Sequence, residues 1–131
     1  MSKKDEQMQE LDDAGHRLRS ILGGKGDRTP VVSVESLRRF HKYLMAHLSF
    51  PFEGKLLSPI GPHRDTESPL SVIRLLDPVR EYAPEEMHGL ICKASQNGKK
   101  IELPLDRIDV EEGSPYFQIL EDYNYWLANC H

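Results

Sequence analysis

The chain has 131 residues, 38% of them hydrophobic and 29% charged, which suits one globular domain with its own core and is too little for two. No apolar run approaches the roughly 20 residues that a membrane-spanning helix requires. Residues 1–30 are charged where a signal peptide would be apolar. With only Cys92 and Cys130 there is no disulfide framework, so the expectation is a soluble, cytoplasmic protein with reduced thiols. The net charge of −4 is unevenly spread: residues 77–86 hold four acids and one Arg, and residues 106–131 hold six acids and one Arg. A nucleic-acid binder would show a basic stripe, and the body of this chain shows none.

In chain order, residues 1–30 read as a flexible charged arm and linker. Met8, Leu11, Leu18 and Leu22 could share a helical stripe, but Gly15 interrupts it, so a frayed helix or a disordered arm is expected. The stretch "GGKGDRTP" at 23–30 has linker composition, and "GGKG" lacks the GK[ST] ending of a phosphate-binding loop. Residues 31–131 then form a single globular domain. Val34, Leu37, Phe40, Leu44 and Leu48 recur at helical steps, with Ser33 placed to cap the helix. Pro51 ends that helix near Ser49 by biasing Phe50 away from helical angles.

Phe50, Phe52 and Leu56 alternate as in a strand, and the three prolines of "SPIGPHRDTESP" at 58–69 make a loop. "LSVIRLL" at 70–76 has the near-continuous aliphatics of a central strand. The clearest local signal is Asn97-Gly98, the favoured pair for a two-residue hairpin turn. It sets Gln96 opposite Lys99, Ala94 opposite Ile101, Cys92 opposite Leu103 and Leu90 opposite Leu105, with Lys93 opposite Glu102 on the other face. Pro104 assigns its strand to an edge or a bulge. Ser114-Pro115 then predicts the start of a last helix. Its buried stripe is Tyr116, Ile119, Leu120, Tyr123, Trp126 and Leu127, while Glu121, Asp122 and Asn129 face elsewhere. The expected class is α+β: a small, mainly antiparallel β-sheet, open or barrel-like, with an N-terminal and a C-terminal helix packed on it.

The chemistry concentrates in "LPLDRIDVEEGSPY" at 103–116. Asp106, Asp109, Glu111 and Glu112 sit on a loop with one Arg107, and a hard divalent cation such as Ca2+ takes six to eight oxygen ligands from such loops. A second acidic group, Glu81, Glu85 and Glu86, lies in the 77–87 loop. An EF-hand does not fit. Counting from Asp109, Gly113 falls at the fifth position and Leu120 at the twelfth, where a bidentate Glu is needed. The plain structural alternative is that Glu111 and Glu112 precede a helix start, where negative charge is favoured by the backbone dipole.

Zinc finds no CxxC or HxxxH spacing, although His88 and Cys92 share a strand face and Cys130-His131 lie near the end. There is no GxSxG, no flanked nucleophilic Cys and no Gly-rich phosphate turn, so the chain is not expected to be an enzyme. The aromatic spacing fits a core better than a base-stacking platform, with Tyr125 alone off the stripe.

Taken together, "LMAHLSFPFEGKL", "HGLICKAS", "IELPLDRIDV" and "YNYW", the last carrying a Tyr-x-x-Trp at Tyr123 and Trp126, resemble the CcbP-like family of small calcium-binding proteins over residues 44–126. The resemblance implies a compact domain that binds calcium through surface carboxylates without EF-hands. The arm at 1–30 and the Pro-rich loop at 58–69 are additions to that pattern. The reading that follows is a non-enzymatic calcium buffer or weak sensor. Asp106, Asp109, Glu111 and Glu112 are the foremost ligands, and Glu53, Glu81, Glu85, Glu86 and Asp122 are further candidates. The alternative is a protein–protein interaction module that presents its sheet edge to a partner, with acids that only solubilise it. A nucleic-acid contact would fall to the interspersed basic residues of the arm, and no membrane contact is expected.

Overall fold

The computed structural model describes residues 3–24, 28–56, 68–78, 80–82 and 89–130. Chain direction into the domain is set at Ser33. Its Oγ accepts the Ser36 N–H at 3.2 Å while the Ser36 Oγ accepts the Ser33 N–H at 2.8 Å, a reciprocal cap that satisfies two early donors. Helix α2 (Val34–His47) follows and buries Leu37, Phe40 and Leu44. Val34, expected in the stripe, is 48% exposed, because the first turn overhangs the core and buries Ser36 instead.

The sheet comprises β1 (Phe52–Leu56), β2 (Ser68–Leu75), β3 (Ile91–Gln96), β4 (Lys99–Pro104) and the two-residue β5 (Ile108–Asp109). Its order is β4-β3-β2-β1-β5, antiparallel at every pairing and open rather than barrel-like. The hairpin has the register that its turn dictates, Gln96 to Lys99 through Cys92 to Leu103, and Leu105 N–H continues it to Leu90 O at 2.8 Å. Asn97 and Gly98 both take positive φ. Pro104 lies on β4, at the sheet edge, where a missing donor costs nothing. β2 is central, as its aliphatic run implied.

Helix α3 (Phe117–Asn129) begins later than Ser114-Pro115 suggested. Ser114 Oγ accepts Tyr116 N–H and Ser114 O accepts Phe117 N–H, so these residues spend their capping capacity on a turn that precedes the helix. Leu120, Tyr123, Trp126 and Leu127 are buried as expected. The Tyr-x-x-Trp pair ties this helix to the rest of the domain. Tyr123 Oη accepts Leu90 N–H at 2.8 Å, and Trp126 Nε1 donates to Pro30 O at 2.8 Å. Phe40 packs edge-on against Tyr123, with ring centroids 5.1 Å apart. Gly89 completes the fit: its φ is +61°, and a Cβ there would lie 2.5 Å from Tyr123 Oη.

Where the interrupted stripe suggested a frayed helix or disordered arm, the chain forms α1 (Lys3–Leu22). Leu18 and Leu22 are fully buried in the same cluster as Phe40 and Trp126. Gly15 sits within that helix, beside the Arg19 side chain. Asp122, expected to face away from the core, is buried at 4% exposure because Arg17 of α1 reaches it. No helix among the described residues is long and apolar enough to cross a membrane.

Candidate metal centre

The candidate ligands divide by what already holds them. Asp122 is fully engaged: Oδ2 accepts Arg17 Nε at 2.7 Å, and Oδ1 accepts Arg17 Nη2 at 3.0 Å and Gln118 Nε2 at 2.9 Å. The Asp122 carboxylate raises the Arg17 pKa, chiefly by that hydrogen bond. Glu81 is clamped in a similar way at the surface. Arg74 donates to Oε1 at 2.7 Å and to Oε2 at 2.9 Å, and Asp77 N–H adds a third bond to Oε1. These donors, Arg74 first, lower its pKa from an ordinary 4.5 to about 2. Glu85 and Glu86 lie outside the described residues.

The other candidates are arranged by strand pairing. Glu53 and Lys55 occupy the outer face of β1, alternating with the buried Phe52 and Gly54. The β1–β5 pairing sets Lys55 against Asp109 and Leu56 against Ile108. Gly54 makes that close pairing possible: a Cβ would sit 2.9 Å from Ile108 Cγ2 and 3.1 Å from Asp109 O. Val110 is buried and anchors the exit from β5, so the chain turns towards α3 with Glu111 exposed beside the strands. Glu53, Asp109 and Glu111 thereby share one surface cavity of about 300 Å³, which Lys55, Pro69 and Ser114 also line.

Glu112 is exposed on the same turn, outside that lining. Asp106 lies in the 3-10 turn Leu105–Arg107, close enough to Tyr123 to help raise the phenol's pKa, which burial chiefly raises. The foremost four are therefore not one cluster: two of them join Glu53 around the cavity. Lys55 is the residue that sequence reasoning missed. Its spacing of two from Glu53 on an alternating strand was the available signal.

Among the described residues, no three His, Cys, Asp or Glu side chains stand close enough to enclose a metal ion. Cys92 is fully buried opposite Leu103, and burial pushes its thiol up to about 12, which suits a small core residue. His88 and His131 lie outside the described residues. The arrangement offers carboxylate oxygens at a solvent-open rim, where a hard ion keeps part of its water shell.

Sequence comparison matches residues 32–127 to the Calci_bind_CcbP family, described as calcium binding. A search of curated proteins gives no match. Two solved structures share the fold. One is a calcium-binding protein in its calcium-binding form, 19% identical, with a TM-score of 0.60 and coverage of 89% of this chain and 90% of that one. The other is the crystal structure of Anabaena CcbP, 18% identical, with a TM-score of 0.57 and coverage of 88% and 89%.

Proposed function

The chain belongs to the CcbP family of calcium-binding proteins, and from that premise we propose that it binds Ca2+ at an irregular, all-oxygen site around Glu53, Asp109 and Glu111. The observation that carries the reading is the shared cavity: β1, β5 and the turn into α3 bring carboxylates from two separate parts of the sequence to one rim, spaced too widely to enclose an ion until it draws them inward. Glu112 and Asp106 are the next candidates, followed by Glu85 and Glu86. Asp122 and Glu81, whose oxygens already accept from Arg17, Gln118, Arg74 and Asp77, contribute least.

A rim open to water that also includes Lys55 favours modest affinity, as charge count and rigidity set calcium affinity. That is the behaviour of a buffer or weak sensor. The site lacks the EF-hand frame on its N-terminal side, since Asp109 ends a strand and not a helix. The role is non-enzymatic. The two free thiols, Cys92 and Cys130, suit a cytoplasmic location.

Calorimetric titration of the full chain with CaCl2 in low salt tests this reading. A saturable heat is expected, together with a higher melting temperature. Binding to the folded state alone adds RT ln(1 + [L]/Kd), about 2.7 kcal/mol at a hundredfold excess over Kd. Absence of both heat and stabilisation at millimolar calcium overturns it.

A further inference from the structure

A second cavity, of about 530 Å³, lies between α2 and the turn that follows β2, and its charge is of the opposite kind. Its lining includes Arg38, Arg39, Lys42 and Arg80 against Glu35 and Asp77, a local excess of cations on a chain of net charge −4. The two acids are already engaged. Glu35 Oε1 accepts Arg39 Nη2 at 2.9 Å, and Asp77 Oδ1 accepts the Arg80 backbone N–H at 3.1 Å. Arg39 is held further by Leu22 O at 2.8 Å.

The side chains of Arg38, Lys42 and Arg80 take part in no hydrogen bond or ion pair with a described residue. Arg38 and Lys42 are four residues apart on α2 and so rise from one helical face, where like charges repel unless an anion lies between them. Arg80 approaches from the other wall, on a turn fixed by the Arg74–Glu81 clamp and by Asp77. His41 also lines the cavity. Its Nε2 is shut off from solvent, so that nitrogen lies behind the cavity wall and not at its surface.

We propose that this basin is an anion site for a phosphate group, free or as a small monoester, with Arg38, Lys42 and Arg80 as its donors. Guanidinium groups give paired N–H donors in the plane that phosphate oxygens favour, and a lysine adds a mobile point charge. The cavity is of the size that holds a small ligand. The site is independent of the proposed calcium rim on β1 and β5.

The test is an NMR titration of the full chain with orthophosphate and, in a second arm, with adenosine monophosphate. It is run in calcium-free buffer with ionic strength held constant by chloride. Saturable shifts confined to residues 38–42 and 77–81 are expected in at least one arm, and the arm that saturates first tells free phosphate from ester. Arg38→Gln with Arg80→Gln should weaken binding about tenfold or more. Lys99→Gln with Lys100→Gln, on the exposed hairpin, should leave it unchanged. Non-saturating shifts in both arms, or equal weakening by the hairpin variant, would overturn the assignment.

Discussion

Two acidic regions of this molecule, the Asp122 pocket and the β1–β5 rim, look alike as sequence and behave differently as structure. Asp122 is buried, and both its oxygens accept from Arg17 and Gln118, so its charge is spent on joining α1 to α3. Glu53, Asp109 and Glu111 line an open cavity on the sheet's far edge. A carboxylate surrounded by protein donors is a structural element. One that faces water beside other carboxylates is costly to crowd and gains when a cation arrives. The number of acids in a segment does not separate these cases, but the donors that surround each of them do.

Asp122→Ala should have the largest effect on stability, because it strands the Arg17 guanidinium and the Gln118 amide. Breaking a buried pair typically costs several kcal/mol; as Arg17 is 41% exposed, a loss of about 2–3 kcal/mol in chemical denaturation is expected, with calcium heat unchanged. A variant that keeps its stability and loses calcium binding would reverse the roles of the two regions. Gly54→Ala sharpens the contrast without touching a charge. A methyl group forced against Ile108 and Asp109 O should cost about 1–2 kcal/mol, and it should weaken calcium binding by separating Glu53 from Asp109.

Glu81 offers a comparison by pH. Its folded pKa of about 2 lies below the ordinary 4.5, so its contribution is complete above pH 4.5 and is lost as pH falls towards 2. Thermal melts between pH 5 and 2 should therefore fall less steeply for Glu81→Gln than for the natural chain. An equal slope would show that the Arg74 clamp adds nothing in solution. The smallest effect belongs to Glu112→Gln. It is exposed and outside the cavity lining, so stability should change by less than about 0.5 kcal/mol and calcium affinity only slightly.

The parts of the fold that could be read in advance are those whose cause is local. Asn97-Gly98 sets the hairpin register through backbone geometry, and Ser33 caps α2 with an atom three residues from its partner. What escaped depends on distant residues. Asp122 is buried because Arg17, 105 positions away, comes to meet it. The α1 stripe looked too weak for a stable helix, yet Leu18 and Leu22 find their cover on the domain core. Ser114-Pro115 carried the right chemistry for a cap, but the chain uses it one turn early. At the candidate site the acids themselves were legible, while their grouping was not. It rests on a two-residue β5 pairing with β1, too short to leave a periodic pattern, and on a glycine that permits the approach.

The central claim is that carboxylates of β1, β5 and the turn into α3 hold the ion. A crystal structure grown with calcium tests it most directly. An ion is expected against oxygens of Glu53, Asp109 and Glu111, which stand too far apart without it and would be drawn in to about 2.3–2.6 Å, with water completing its shell. An ion elsewhere on the chain, with this rim left to solvent, would contradict it.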